Sequence, residues 1–206
     1  MPATNRVLLH RIDLIDNLIV KENLAVGVEV GSFCGEYSRE ILNRWKGQLY
    51  MIDVWAPLEE YDDMSNNKYH PDAYEECINN ISEFGERATM IRTSSENAVD
   101  LFRNDSLDFV YIDANHSYEY VKRDIEIWYQ KVKTGGYLMG HDYLNIDWYA
   151  DPSFRDEKRK DKNIQFDGKF CGVFGVNPAV DEFCAEMNYV LNVTYETFGT
   201  WYIKKS

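Results

Sequence analysis

No stretch of the chain is apolar over the roughly 18 to 20 residues that a membrane-spanning helix requires. Cysteine is sparse as well: Cys34, Cys77, Cys171 and Cys184 stand far apart, with no CxxC pair. That spacing excludes the dense disulfide framework of small secreted domains and leaves free thiols in a reducing compartment as the expectation. The N-terminus has no basic stretch followed by a cleavable apolar one, so a cytoplasmic location is expected. Basic charge is also short: 22 Lys and Arg stand against 35 Asp and Glu, a formal net charge of -13. Nucleic-acid binding relies on basic patches that displace counterions, so that class of partner is excluded. The cluster from Arg155 to Lys162 mixes both signs and reads as a solvated loop.

What the chain does have is size and alternating pattern. With 206 residues, 45% of them apolar, it can bury a core without disulfides or structural metals, and one domain over 1–206 is expected. Residues 7–20 place Leu8, Ile12, Leu14, Ile15, Leu18 and Ile19 at helical spacing, which predicts an N-terminal amphipathic helix within 1–22. It would pack across the domain or against a second copy in a homodimer. Strand, turn and helix then follow in 25–45, and a second strand QLYMIDVW leads through a polar loop to a helix from Pro71. A third strand ATMIRT precedes a short helix over 95–102 capped by Ser94 or Ser95, and a fourth, LDFVYID, precedes a helix over 117–132. The turn KTGG opens a fifth strand, YLMGHD.

This alternation predicts an α/β fold with a mostly parallel sheet covered on both faces, whose ligands bind beyond the carboxyl ends of the strands. The end of the chain departs from that rhythm. After a helix over 178–187 come two aromatic and β-branched runs joined at Gly199, which predict an antiparallel hairpin closing the sheet. Residues 143–170 are polar and aperiodic, long for a loop in a compact domain, and are expected to form a lid or substrate loop. The acidic loop 55–70, with Glu59, Glu60, Asp62 and Asp63, flanks the same mouth and suits a neutral or cationic acceptor better than a polyanion.

Chemistry concentrates at the strand ends. Glu29, Gly31 and Gly35 form an ExGxxxG turn between the first strand and its helix, where glycine lets backbone approach a ligand and the helix start offers free N–H groups. The GxGxxG that cradles a pyrophosphate is absent, so the turn is either an ordinary tight connection or a loop for a different ligand. Asp53, ending the second strand, can accept hydrogen bonds from both hydroxyls of a ribose. Asp113, His116, His141 and Asp142 end the fourth and fifth strands and should face one cleft.

The segment 108–143 contains IDxxHxYExVxxDxxxW followed by GGxxxGHDY. Together with ExGxxxG and Asp53, it resembles the small class I S-adenosylmethionine (SAM) dependent methyltransferases of the family 24 type, distantly similar to catechol- and macrocin-type O-methyltransferases. The likeness covers 25–143 well and 171–203 loosely. It implies a Rossmann-like, seven-stranded fold and SAM as cofactor. Glu29, Gly31, Ser32 and Gly35 would hold its amino-acid end, Asp53 its ribose, and Ser94 and Ser95 its adenine, with Asp113 alongside. Methyl transfer to a hydroxyl oxygen of a sugar or other small metabolite would need a general base, for which His116 has a suitable pKa range, assisted by Asp113. Some of these relatives hold magnesium or manganese with acids from the same strand ends. Asp113 and Asp142 match that arrangement, whereas His141 stands where an oxygen ligand is usual, so that either it is a ligand or the site is metal-free. A mixed His and carboxylate set tilts preference from magnesium towards manganese, iron or zinc. Two other readings are compatible with such a sheet: a non-catalytic SAM-binding or assembly protein, and a nicotinamide-dependent oxidoreductase, which the missing GxGxxG disfavours.

Overall fold

The computed structural model describes residues 8–56, 70–144, 164–166 and 172–206. Its main sheet has seven strands: β1 (Val26–Val30), β2 (Gln48–Asp53), β3 (Ala88–Arg92), β4 (Leu107–Ile112), β5 (Val132–Leu144), β8 (Asn192–Val193) and β9 (Phe198–Lys204). Their spatial order is β3-β2-β1-β4-β5-β9-β8. The first five are parallel, and β9 and β8 complete the edge antiparallel, as the sequence pattern predicts. The order reverses between β1 and β4, so the carboxyl ends of these two neighbours open the crevice where ligands of such sheets bind.

Strand alternation sorts side chains onto two apolar faces. Val28, Val30, Val110 and Ile112 point into one core with Trp128 and Trp201, while Phe109, Tyr111, Leu49 and Met51 point into the other. Both faces are apolar because helices cover both, the usual condition of a parallel sheet. The first core is covered by α5 (Tyr118–Tyr129) and α6 (Val176–Met187), and the second by the N-terminal segment, α2 (Glu36–Arg44) and α3 (His70–Ile81). Trp45 and Trp128 are buried in these cores and Tyr129 packs at the margin of the first.

Several sequence expectations are adjusted. The N-terminal helix is not one regular α-helix: α1 (Arg11–Leu14) continues as a π-helical segment, Ile15–Val20, which turns Leu14, Ile15 and Ile19 all into the core. It lies across this chain's own sheet. The helix after β3 is only α4 (Ser95–Ala98) followed by a 3-10 turn, Val99–Leu101. KTGG belongs to β5, which already pairs with Leu107 at Val132 and carries Gly135 at φ 83°. The C-terminal hairpin does not turn at Gly199, which lies inside β9 opposite Tyr143. The turn comes earlier because Thr194 closes it, its hydroxyl accepting from Thr200 N at 2.8 Å and donating to Glu196 at 2.6 Å.

Of the expected lid, residues 145–163 and 167–170 lie outside the described residues, as do 57–69 of the acidic loop and Cys171. Residues Ile164–Phe166 and Gly172–Phe174 pair as a separate antiparallel ribbon, β6 and β7. Among the described residues no helix is long and apolar enough to cross a membrane.

Candidate active site

The turn after β1 is held by its surroundings. Gly31 has φ 90°, and a Cβ there would fall 2.0 Å from the carbonyl oxygen of Asp113, so the chain can pass the end of β4 only without a side chain. Phe33 has φ 45° and is secured twice: its N–H donates to Asp53 Oδ2 at 2.9 Å, and its carbonyl accepts from Trp55 Nε1 at 2.7 Å. Asp53 Oδ1 also accepts from Trp55 N at 2.8 Å. Asp53 therefore joins the end of β2 to the glycine turn. Gly35, at φ 76°, begins α2.

Glu29 points to the α2 side of the sheet, 1% exposed, and accepts a hydrogen bond from the Ser38 hydroxyl. Burial pushes its pKa up to about 8, against the easing effect of Ser38. The Ser32 hydroxyl is close enough to ease that shift too. Yet Ser32 Oγ is buried and makes no hydrogen bond of good geometry among the described residues. Such an orphaned polar atom costs free energy unless a ligand satisfies it, which fits a cofactor loop. The other two serines are engaged by the protein itself. Ser94 caps α4 by accepting from Asn97 N, and Ser95 donates to Asp124 Oδ1 at 2.5 Å while accepting from Trp128 Nε1 at 2.8 Å.

The ends of β4 and β5 bring the four expected polar residues together. His116 Nε2 is 2.8 Å from Asp142 Oδ2 and 3.5 Å from Asp113 Oδ1. His141 Nδ1 is 3.3 Å from Asp142 Oδ1 and 3.9 Å from Asp113 Oδ2. Neighbours on a regular strand face opposite sides, but the β5–β9 register shifts between Gly140 and Tyr143, and Asp142 takes φ 57°. That bulge turns His141 and Asp142 towards one cleft. His116 is placed by an Asx turn, Ser117 N to Asn115 Oδ1 at 2.9 Å, and by its own carbonyl, which accepts from Gly175 N at 2.6 Å.

Burial opposes charge on His116, but the carboxylates of Asp142 and Asp113 prevail and hold its pKa well above the ordinary imidazole range. Burial likewise opposes the charge of Asp142, and His116 and His141 prevail, keeping its pKa far below the carboxylate range. Asp113, His141 and Asp142 each offer a ligand atom within 4.8 Å of the others, a donor set of two carboxylates and one imidazole that suits a divalent ion.

One neighbour of this cluster escapes sequence reading. Arg11, on the N-terminal segment, places Nη1 3.8 Å from Asp113 Oδ2. Nothing in its own sequence neighbourhood marks it, because the approach depends on where that segment crosses the sheet.

Comparison with known proteins agrees with this architecture. A family profile described as a methyltransferase domain matches residues 28–143, more than half of the chain. An uncharacterized protein of Acanthamoeba polyphaga mimivirus is 24% identical over 140 residues, which are 68% of this chain and 60% of that protein. The match therefore spans less than two thirds of this relative's length. Among solved structures, an O-methyltransferase family protein from Burkholderia thailandensis superposes with TM-score 0.64 at 13% identity, covering 95% of this chain and 55% of that one. An O-methyltransferase from Bacillus cereus in complex with SAH (S-adenosylhomocysteine) gives TM-score 0.59 at 12% identity, covering 95% and 80%. The profile match, the strand order and the glycine turn beside Asp113 agree: the chain belongs to this family of class I, SAM-dependent methyltransferases.

Proposed function

We propose that this chain transfers the methyl group of SAM to a hydroxyl oxygen of a small metabolite, such as a sugar. The observation that carries the reading is the cluster of Asp113, His116, His141 and Asp142 beside the glycine turn. Glu29, Gly31, Ser32 and Gly35 form the pocket for the amino-acid end of SAM, Asp53 accepts from its ribose, and the Ser94–Ser95 segment borders its adenine. SAM supplies an electrophilic methyl carbon on a sulfonium leaving group.

With SAM bound, the acceptor oxygen would bond to that carbon as the carbon–sulfur bond breaks and S-adenosylhomocysteine leaves, the hydroxyl proton passing to His116 in its neutral form. The remaining task is alignment and proton removal. His116 is paired with Asp113 and Asp142 and holds its proton in their company. A divalent cation on Asp113, His141 and Asp142 would neutralise that negative charge, lower the basicity of His116 towards neutral pH and polarise the acceptor hydroxyl. With His141 in the set, manganese, iron or zinc is favoured over magnesium.

The test is calorimetric titration with SAM and S-adenosylhomocysteine, with and without manganese or magnesium, followed by a screen of hydroxylated acceptors for S-adenosylhomocysteine release. Saturable micromolar binding and metal-dependent turnover are expected. Absence of binding under every condition would overturn the cofactor reading, and turnover only with amines would overturn the oxygen acceptor.

A further inference from the structure

SAM carries an α-carboxylate as well as an α-ammonium and a sulfonium. The groups gathered at the ends of β1, β2, β4 and β5 include the acids Glu29, Asp53, Asp113 and Asp142. Of these, Asp53, Asp113 and Asp142 suit the two cationic centres and repel the carboxylate; His116 and His141 are already paired with Asp113 and Asp142, so the carboxylate calls for a further cationic donor.

Arg11 stands in the right place and is held there. Its N–H donates to Glu196 Oε1 at 3.0 Å, its carbonyl accepts from the Tyr37 hydroxyl at 3.2 Å, and its guanidinium carbon lies 4.8 Å from the centre of the Tyr37 ring. The flanking residues bind the β8–β9 turn, with Tyr195 N donating to Leu8 O at 3.0 Å and His10 Nε2 3.3 Å from Glu196 Oε2. Tyr37 itself lies in the first turn of α2, just past Gly35, so the guanidinium rests beside the loop that faces the ligand. At 3.8 Å its contact with Asp113 is an ion pair too long for a direct hydrogen bond, and the Tyr111 hydroxyl is close enough to accept from the guanidinium, whose five N–H donors these two neighbours do not exhaust. A guanidinium matches a carboxylate with two parallel N–H donors.

We infer that Arg11 binds the α-carboxylate of SAM, so that the N-terminal segment, outside the family match at 28–143, completes the cofactor site. This rests on the SAM reading above. The two readings fail differently.

The experiment compares binding of SAM with that of decarboxylated SAM, which differs only in lacking the carboxylate, to the intact chain and to Arg11→Gln and Arg11→Lys, with divalent ions chelated. Arg11→Gln should weaken SAM about 10- to 100-fold, the usual weight of a charge-assisted contact, while decarboxylated SAM changes less than twofold. Arg11→Lys should retain part of the SAM affinity. Equal loss for both ligands would mean that Arg11 only supports the fold, and no loss for SAM would remove it from the site; either overturns the inference. The unaltered chain provides a second measure that needs no variant: it should prefer SAM over its decarboxylated form at least tenfold, and equal affinities overturn the inference even if Arg11→Gln does not fold. Binding of neither ligand to the unaltered chain overturns the cofactor reading itself.

Discussion

Replacing Asp124 by Asn should flatten the pH dependence of stability. Asp124 lies on α5, 5% exposed, and its Oδ1 accepts from Ser95. Burial pushes its pKa from the ordinary 3.8 up to about 7, with Glu96 adding to the shift and the Ser95 hydrogen bond easing it. In the unfolded chain the carboxyl releases its proton near the ordinary value, while in the folded chain it keeps the proton to about pH 7. Between those values the folded state binds more protons, so stability falls as pH rises, and the loss levels off above the folded pKa. A rise from 3.8 to about 7 corresponds to at most about 4 kcal/mol, and the interval from pH 5.5 to 8 captures about 2 kcal/mol of it. Asn cannot ionise, yet its Oδ1 can still accept from Ser95. Urea unfolding followed by circular dichroism at pH 5.5 and pH 8 should therefore show Asp124→Asn losing about 2 kcal/mol less than the unaltered chain over that interval. The comparison cancels the parallel contribution of Glu29, whose carboxyl is also raised, because both proteins retain it. Indistinguishable pH slopes would refute the argument that this carboxyl is forced to ionise in an apolar site.

Asp53→Ala should weaken S-adenosylhomocysteine binding at least about tenfold and cost about 1–3 kcal/mol in thermal or urea unfolding, because Phe33 N and Trp55 N both lose their acceptor; unchanged affinity would take Asp53 out of the cofactor site. For His116→Ala, turnover with an identified acceptor should fall about 100-fold or more while calorimetric affinity for S-adenosylhomocysteine stays nearly constant, and normal turnover would exclude the base role. His141→Asn, which replaces the imidazole of the donor set with an amide, should lower affinity for manganese or zinc more than for magnesium in calorimetric titration; parallel changes for all three ions would show that His141 is not a ligand.

Much of this was legible in the chain, for a physical reason: period-2 apolar runs separated by amphipathic helices have few ways to bury both faces of a sheet. VGVEV, QLYMID and LDFVYI read as strands and are strands, and the antiparallel pairing at the C-terminus follows from its aromatic and β-branched runs. The glycine turn, Asp53 and the four polar residues at the β4 and β5 ends could be placed near one another because they stand where strands stop, the edge at which ligands of such sheets bind. Less was legible wherever local pattern competed with a contact distant in sequence. Thr194 ends the hairpin's first strand before Gly199 can turn it. Ser95, offered by its position to an adenine, is engaged by Asp124 and Trp128 from α5.

Sequence alone determined the element order, the apolar pattern of the strands and the chemical types present at their ends, since each depends on residues within one or two turns of each other. Only the tertiary structure decided that His141 and Asp142, adjacent in the chain and normally on opposite faces, point into one cleft, because the bulge that turns them depends on pairing with β9. It alone brought Arg11 to Asp113, across about a hundred residues of chain, because the path of the N-terminal segment is set by packing of Leu14, Ile15 and Ile19 and by its clasp on Glu196. Local periodicity carries no record of such contacts, which arise when separate elements share one core.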